Sequence, residues 1–429
     1  MAQLIVKPSE VKGKIEAQPS KSYTHRLLSV ALLADGVSKI KNPLWSFDTQ
    51  ATAEAVRALG GEIEEVEEGC RVKGTGGDLK PKTKEIDVRN SGTTLRFMSA
   101  ISALSPKKIR LTGDESILQR PMGPLISSLS DLGADARCEG KKERPPVVVG
   151  GGLDGGETRI TGAVSSQFIS ALLLASPYSE TGVDLEVEEK LRSKPYVEMT
   201  LEVLKLAKAG IQSKSSLLSY NIPGEQTFAP IDCSVPGDFS SAAFILGAGA
   251  LSEGGVKVEN LDPEGVQGDK RIIDLLKDFG AEVKVKNKTI KVKNKGRLSG
   301  IDVDCSDIPD LTPILAVLGA TADGQTRLHN VPHLRFKEVD RLKVLATGLK
   351  KFGVQIKELE DGLKIFGSDS LTGAEVDSYG DHRMAMSFAV AGLAAENKVK
   401  IEGAESIGVS YPDFVKDMEK LGAKIKIKE

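Results

Sequence analysis

The side chains best suited to chemistry in this chain stand at the starts of apolar runs. Lys21, Ser22 and Arg26 open PSKSYTHRLLSVALLA, while Asn90, Ser91, Gly92, Thr93 and Arg96 open NSGTTLRFMSAISAL. Ser165, Ser166 and Gln167 open AVSSQFISALLLAS; Asp310 opens DIPDLTPILAVLGA; Asp381, His382 and Arg383 open GDHRMAMSFAVAGLA. Between these runs come Arg120, Ser193, Lys194, Tyr196, Lys337, Glu338 and Arg341. If the runs are helices, their first turns expose unpaired N–H groups and a partial positive charge, so several such ends facing one cleft would make an anion trap. Guanidinium and ammonium groups at the same ends bind phosphate and carboxylate, and the pattern predicts small substrates that carry both.

Taken singly, each of these residues has a plainer reading. Ser22, Asn90, Ser166 or Asp310 ahead of an apolar run reads as a helix N-cap. The segment EVDRL reads as a salt-bridged helix face, and His382 as a satisfied hydrogen-bonding group. Concurrence favours a site: cationic residues gather at one point of a repeat in a chain whose net charge is only −2. The glycine-rich GGGLDGGE from Gly150 matches neither a dinucleotide nor a P-loop fingerprint and reads as a turn.

The elements that must position these residues recur at a period of roughly 70 residues, the length of one supersecondary unit. A glycine followed by a short alternating strand appears at Gly60, Gly133, Gly210, Gly280, Gly353 and Gly422. Ahead of each glycine lies an amphipathic run, such as DTQATAEAVRALG or YPDFVKDMEKLG, with apolar residues at three- and four-residue spacing. Ahead of that lies one of the apolar runs, including GDFSSAAFILGAGAL, which are apolar nearly all round and so predict helices buried inside a domain. No run reaches 18 apolar residues, which argues against a membrane span.

Composition narrows the class further. A chain of 429 residues is too long for one core, and six units divide evenly into two domains of three. One Trp, six Tyr and twelve Phe with a near-neutral charge argue against a nucleic-acid surface. Cys70, Cys138, Cys233 and Cys305 are far apart and read as reduced thiols in strands or cores, so neither a metal nor a disulfide is expected. The opening MAQLIVKPSE enters a strand at once, and a cytoplasmic, monomeric protein is expected.

Nine segments in order, QPSKSYTHR, NSGTTLRF, QRPMGPL, SSQFISALLLA, KPYVEMT, DIPDLTP, RFKEVDRL, YGDHRMAM and SYPDF, resemble the 5-enolpyruvylshikimate-3-phosphate synthase family over the whole chain. The resemblance implies an α/β enolpyruvyl transferase fold: two globular domains, each of three inverse αβα units with buried parallel helices, closing on the substrates. It places one domain at about 20–229, mainly for shikimate 3-phosphate. The other, at 1–19 plus 230–429, is mainly for phosphoenolpyruvate and carries catalytic residues. It implies transfer of the enolpyruvyl group of phosphoenolpyruvate to the 5-hydroxyl of shikimate 3-phosphate, with phosphate released and no metal or organic cofactor.

Carried over by motif, shikimate 3-phosphate meets Lys21, Ser22, Arg26, Ser165, Ser166, Gln167, Ser193, Tyr196, Asp310, His333 and Lys337. Phosphoenolpyruvate meets Lys21, Asn90, Gly92, Thr93, Arg96, Arg120, Gln167, Arg341 and Arg383. Glu338 is expected to protonate the methylene carbon, with Asp310, Lys21 and His382 as alternatives for the attacking hydroxyl's proton. Two positions depart from many members: Val409 stands where they carry a lysine, and His333 where they carry an asparagine. Gly92 is retained and implies a pocket open to glyphosate. The sister reaction on UDP-N-acetylglucosamine is the alternative, but its family carries a loop cysteine that RLTGDESILQRPMG lacks.

Overall fold

A computed structural model describes residues 2–428. Its strands form six four-stranded sheets with one pairing grammar. In each, an edge strand runs parallel to a second strand, which pairs antiparallel with a third, which pairs antiparallel with a fourth. Glu85–Asp87 runs beside Ile109–Thr112, then Arg144–Gly150, then Asp135–Gly140. Asp302–Asp304, Gln325–His329, Gly362–Phe366 and Gln355–Leu359 repeat the order. A parallel pair needs a crossover, and the helices Gly92–Ala103 and Thr312–Thr321 supply it in these two sheets.

The chain divides into two compact units. One comprises the chain ends, up to Gln18 and from Pro236 onward; the other is Pro19–Val235. The exchange of two edge strands explains where the chain crosses. Lys12–Glu16 precedes the helix Lys21–Leu33 but pairs with Gly255–Glu259, while Asp232–Ser234 precedes the helix Phe239–Ala250 but pairs with Val37–Lys41. The second crossing therefore follows Ser234, because that strand completes the sheet of Val37–Lys41. Gln3–Lys7 in turn sits between Val399–Glu402 and Lys424–Lys428.

The crossover helices are buried as their all-round apolar character demands: all twelve residues of Phe239–Ala250 and of His382–Leu393 are buried. Amphipathic helices such as Arg341–Lys351 bury only one face. They end at glycines with positive φ, among them Gly60 at 113° and Gly280 at 95°. The third repeat differs from the sequence expectation, because there Lys208 takes the left-handed conformation, φ 62°, and Gly210 follows without it. Of the cysteines, Cys70, Cys138 and Cys233 lie in strands and Cys305 in a buried loop, all four as free thiols. Among the described residues no helix is long and apolar enough to cross a membrane.

Candidate active site

The helix starts are capped by residues next to those the sequence singles out. Ser20, Ser91, Ser165, Asp238 and Asp381 accept the first-turn N–H groups of their helices. Ser22, Asn90 and Ser166 are thus not caps. Asp310 is not one either: it lies in the short turn Pro309–Leu311, ahead of Thr312–Thr321, which leaves its carboxylate for other partners.

In the unit Pro19–Val235, Lys21 pairs with Asp48 at 2.9 Å, a partner that the sequence reading does not single out. Arg26 is 2 % exposed, and its guanidinium donates to Thr200 Oγ1 (2.8 Å), the Ser22 carbonyl (2.9 Å) and the Tyr196 carbonyl (2.8 Å). These acceptors are all neutral. Burial, with no carboxylate paired to it among the described residues, pushes the Arg26 pKa down to about 10, and the resulting uncompensated positive charge favours an anionic ligand. Burial, then Lys21 and Arg26, also push His25 well below its ordinary value, so it is neutral; its Nδ1 is 2.7 Å from Thr52 Oγ1.

A second cationic cluster surrounds Gly92. Arg96 donates to Gln167 Oε1 (2.7 Å) and the Gly92 carbonyl (3.2 Å), and Gln167 Nε2 donates to Thr93 Oγ1 (2.9 Å). Arg120, buried, bonds Ser116 Oγ. A β-carbon on Gly92 would lie 2.5 Å from Arg120 Nη1 and 2.8 Å from Arg96 Nη1, so both guanidiniums press against this glycine at a helix start. Asn90 turns instead to Asp114. Ser166 and Ser193 are buried, and Ser193 has φ 57°, a left-handed conformation rare for a residue with a β-carbon. Tyr196 follows in the helix Lys194–Leu206.

In the other unit, three carboxylates and two guanidiniums interlock. Arg341, 2 % exposed, donates from Nε to Asp381 (2.7 Å), from Nη1 to Asp310 (3.0 Å) and from Nη2 to Glu338 (2.7 Å). Arg383 Nη2 donates to the second oxygen of Asp310 (3.0 Å) and its Nη1 to the Asp310 carbonyl (3.3 Å). Burial raises Asp381 above the usual carboxylate range against the pull of Arg341. Burial also opposes the charge on Arg341, yet Asp381, Glu338 and Asp310 outweigh it and hold the guanidinium above its ordinary value. His382 Nδ1 is 4.0 Å from Asp381 Oδ1, and His333 is buried in the turn Pro332–Phe336 that leads to Lys337. Val409 is buried, in the short helix Ala404–Val409.

Sequence reasoning names Asp310, Glu338, Arg341 and Arg383 and so finds most of this cluster, but it misses two buried carboxyls beside it, Asp238 and Asp269. The signal is weak: Gly-Asp recurs at 237–238, 268–269 and 380–381, but also at 77–78 and 113–114, away from this cluster.

The comparisons with known proteins agree with one another. A model of the EPSP synthase (3-phosphoshikimate 1-carboxyvinyltransferase) family matches residues 5–418. The 3-phosphoshikimate 1-carboxyvinyltransferase of Methanocaldococcus jannaschii is 43% identical over 431 residues, covering all of both chains. That of Methanosarcina mazei is 45% identical, covering 98% of each. The solved EPSP synthase of Acinetobacter baumannii superposes with a TM-score of 0.84 at 30% identity, covering 100% of both chains. The fold is that of an enolpyruvyl transferase, an enzyme class that transfers alkyl groups. Within that class the chain belongs to the EPSP synthase family.

Proposed function

We propose that this protein transfers the enolpyruvyl group of phosphoenolpyruvate to the 5-hydroxyl of shikimate 3-phosphate, releasing phosphate, with its reacting groups drawn from the Asp310, Glu338 and Lys21 set. The carrying observation is the buried cluster in which Arg341 and Arg383 hold Asp310 and Glu338, giving carboxyls for proton transfer beside guanidiniums for anionic substrate. Glu338 delivers a proton to the methylene carbon while the hydroxyl oxygen bonds to the carbon that bears the phosphate. The hydroxyl proton passes to Asp310 or Lys21, with His382 assisting. The ketal phosphate then collapses: the C–O bond to phosphate breaks, and Glu338 takes a proton back from the methyl group.

Shikimate 3-phosphate is assigned to Arg26, Ser165, Ser166, Ser193 and Tyr196, with Ser22, Gln167, His333 and Lys337 also around it. Phosphoenolpyruvate is assigned to Lys21, Gly92, Arg120, Gln167, Arg341 and Arg383, with Asn90, Thr93 and Arg96 supporting. The uncompensated charge of Arg26 and the paired guanidiniums over Gly92 support this division. Two small soluble substrates fit a cytoplasmic monomer. A steady-state assay of phosphate release decides between the family reaction and its sister: release is expected with shikimate 3-phosphate and not with UDP-N-acetylglucosamine, and the reverse would overturn the reading.

Two expected outcomes follow from the cationic cluster. Arg120→Ala raises the phosphoenolpyruvate KM by roughly 10- to 100-fold, since a hydrogen bond to a charged ligand is worth about 1.5–3 kcal/mol. The KM for shikimate 3-phosphate stays nearly unchanged, and equal effects on both would sink the assignment. Glyphosate inhibits competitively with phosphoenolpyruvate. Gly92→Ala relieves that inhibition and raises the phosphoenolpyruvate KM with it, because the new methyl must displace Arg120. Inhibition kinetics on the variant test this: relief with an unchanged KM would show that the methyl meets the inhibitor alone.

A further inference from the structure

Asp269 sits in the turn Gly268–Arg271, 3 % exposed, and accepts a hydrogen bond from the Ser240 hydroxyl through Oδ2. Its Oδ1 is buried and has no hydrogen-bond partner among the described residues. Ser240 lies in the first turn of Phe239–Ala250, where its N–H donates to the cap Asp238 (2.9 Å) and its carbonyl accepts from Arg383 Nη1 (3.5 Å). A continuous path therefore runs from Asp269 through Ser240 to Arg383 and Asp310. Docking of this turn is already served by neutral groups: Gln267 Nε2 donates to the Gly237 carbonyl (2.8 Å), and its Oε1 accepts from the Phe239 N–H (3.0 Å). A buried carboxyl with an empty oxygen is costly, and a structural clip at this point does not need one.

We infer that Asp269 is a positioning residue for phosphoenolpyruvate: through Ser240 it holds the helix start that touches Arg383, and it is the carboxyl that places or withdraws negative charge behind that arginine. The inference rests on the reading that Arg383 contacts phosphoenolpyruvate. The groups that act on Asp269 are Asp310, Asp238 and Arg383 from the packed elements, with Ser240 as the hydrogen-bond donor; its own turn carries Lys270 and Arg271. Burial and then Asp310 push the carboxyl up to about 7, against the Ser240 bond and Arg383, so its proton is exchanged near neutrality. The sign follows. Protonated Asp269 is neutral and favours an anion on Arg383; ionised Asp269 opposes it. The phosphoenolpyruvate KM therefore rises as pH climbs through about 7.

Steady-state kinetics of the full chain from pH 5.5 to 9 test this. The wild-type KM for phosphoenolpyruvate is expected to rise about 3- to 10-fold beyond the substrate's own titration, which both enzymes share, while Asp269→Asn loses that extra rise. Ser240→Ala removes a bond that favours the ionised form, so its inflection moves to higher pH; it decides the matter if Asp269→Asn does not fold. Parallel wild-type and Asp269→Asn profiles, or an unmoved inflection in Ser240→Ala, would overturn the inference. If those profiles are parallel while Arg383→Ala still raises the phosphoenolpyruvate KM selectively, only the role of Asp269 fails. If Arg383→Ala affects shikimate 3-phosphate instead, the underlying assignment fails.

Discussion

Replacing Glu338 by glutamine slows turnover by roughly 100-fold or more while both substrates still bind, the usual scale for removing a positioned general acid. The geometry makes the substitution clean. Glu338 Oε2 accepts from Arg341 Nη2 at 2.7 Å, and a glutamine carbonyl oxygen can accept the same bond. Arg341 keeps Asp310 and Asp381 as partners, so the cluster stays charge-paired and in place. What disappears, on the mechanism proposed above, is the exchangeable proton for the methylene carbon. Titration calorimetry with each substrate, run beside turnover measurements, checks the expectation. Lost binding with an intact residual rate would mean that Glu338 serves to place Lys337 and Arg341.

The repeat, its buried helices and most of the charged cluster were legible in the sequence because each depends on short-range pattern. Phe239–Ala250 is buried on all sides because it is apolar on all sides, and Arg341–Lys351 is one-sided because its apolar residues are. What was not legible depends on partners far along the chain. Nothing local says that Lys12–Glu16 pairs with Gly255–Glu259 and leaves Val37–Lys41 to Asp232–Ser234, since all are short strands suited to any parallel edge. The caps fell one or two residues from Ser22, Asn90 and Ser166 because neighbouring small polar residues are equally good acceptors on paper; the backbone at Ser20, Ser91 and Ser165 is extended as a cap requires, while Ser22 and Ser166 lie inside their helices. Lys208 shows the same limit at a turn, where Gly210 two residues on looks the better candidate. The cluster's electrostatics were hidden for a related reason. A guanidinium at a helix start reads as a ligand contact, whereas Arg341 also holds three carboxylates whose positions come from two separate repeats.

Those three carboxylates make Arg341→Met the most destabilising change expected in this site. Methionine fills much of the volume, but the fully buried Asp381 loses its guanidinium partner, while Glu338 loses the same cation and Asp310 keeps only Arg383 of its two; stranding buried charge in this way costs about 3–5 kcal/mol. At the usual scaling this lowers Tm by on the order of 10 °C. Activity falls as well, because Glu338 loses the guanidinium that holds it and Asp310 one of its two. The pH dependence identifies the cause. Burial already raises Asp381 above its unfolded value, and Arg341 is the main opposing pull, so without it the folded pKa rises further. A group with a raised folded pKa favours the folded state fully below its unfolded pKa and loses that contribution as pH climbs through the folded one. The Tm deficit of the variant is therefore larger at pH 8 than at pH 5, because Asp381, with its raised folded pKa, is protonated more readily as pH falls. Thermal melts of variant and wild type across that range give the answer: a deficit independent of pH would assign the loss to packing, and the carboxylates would then need no cation at this position.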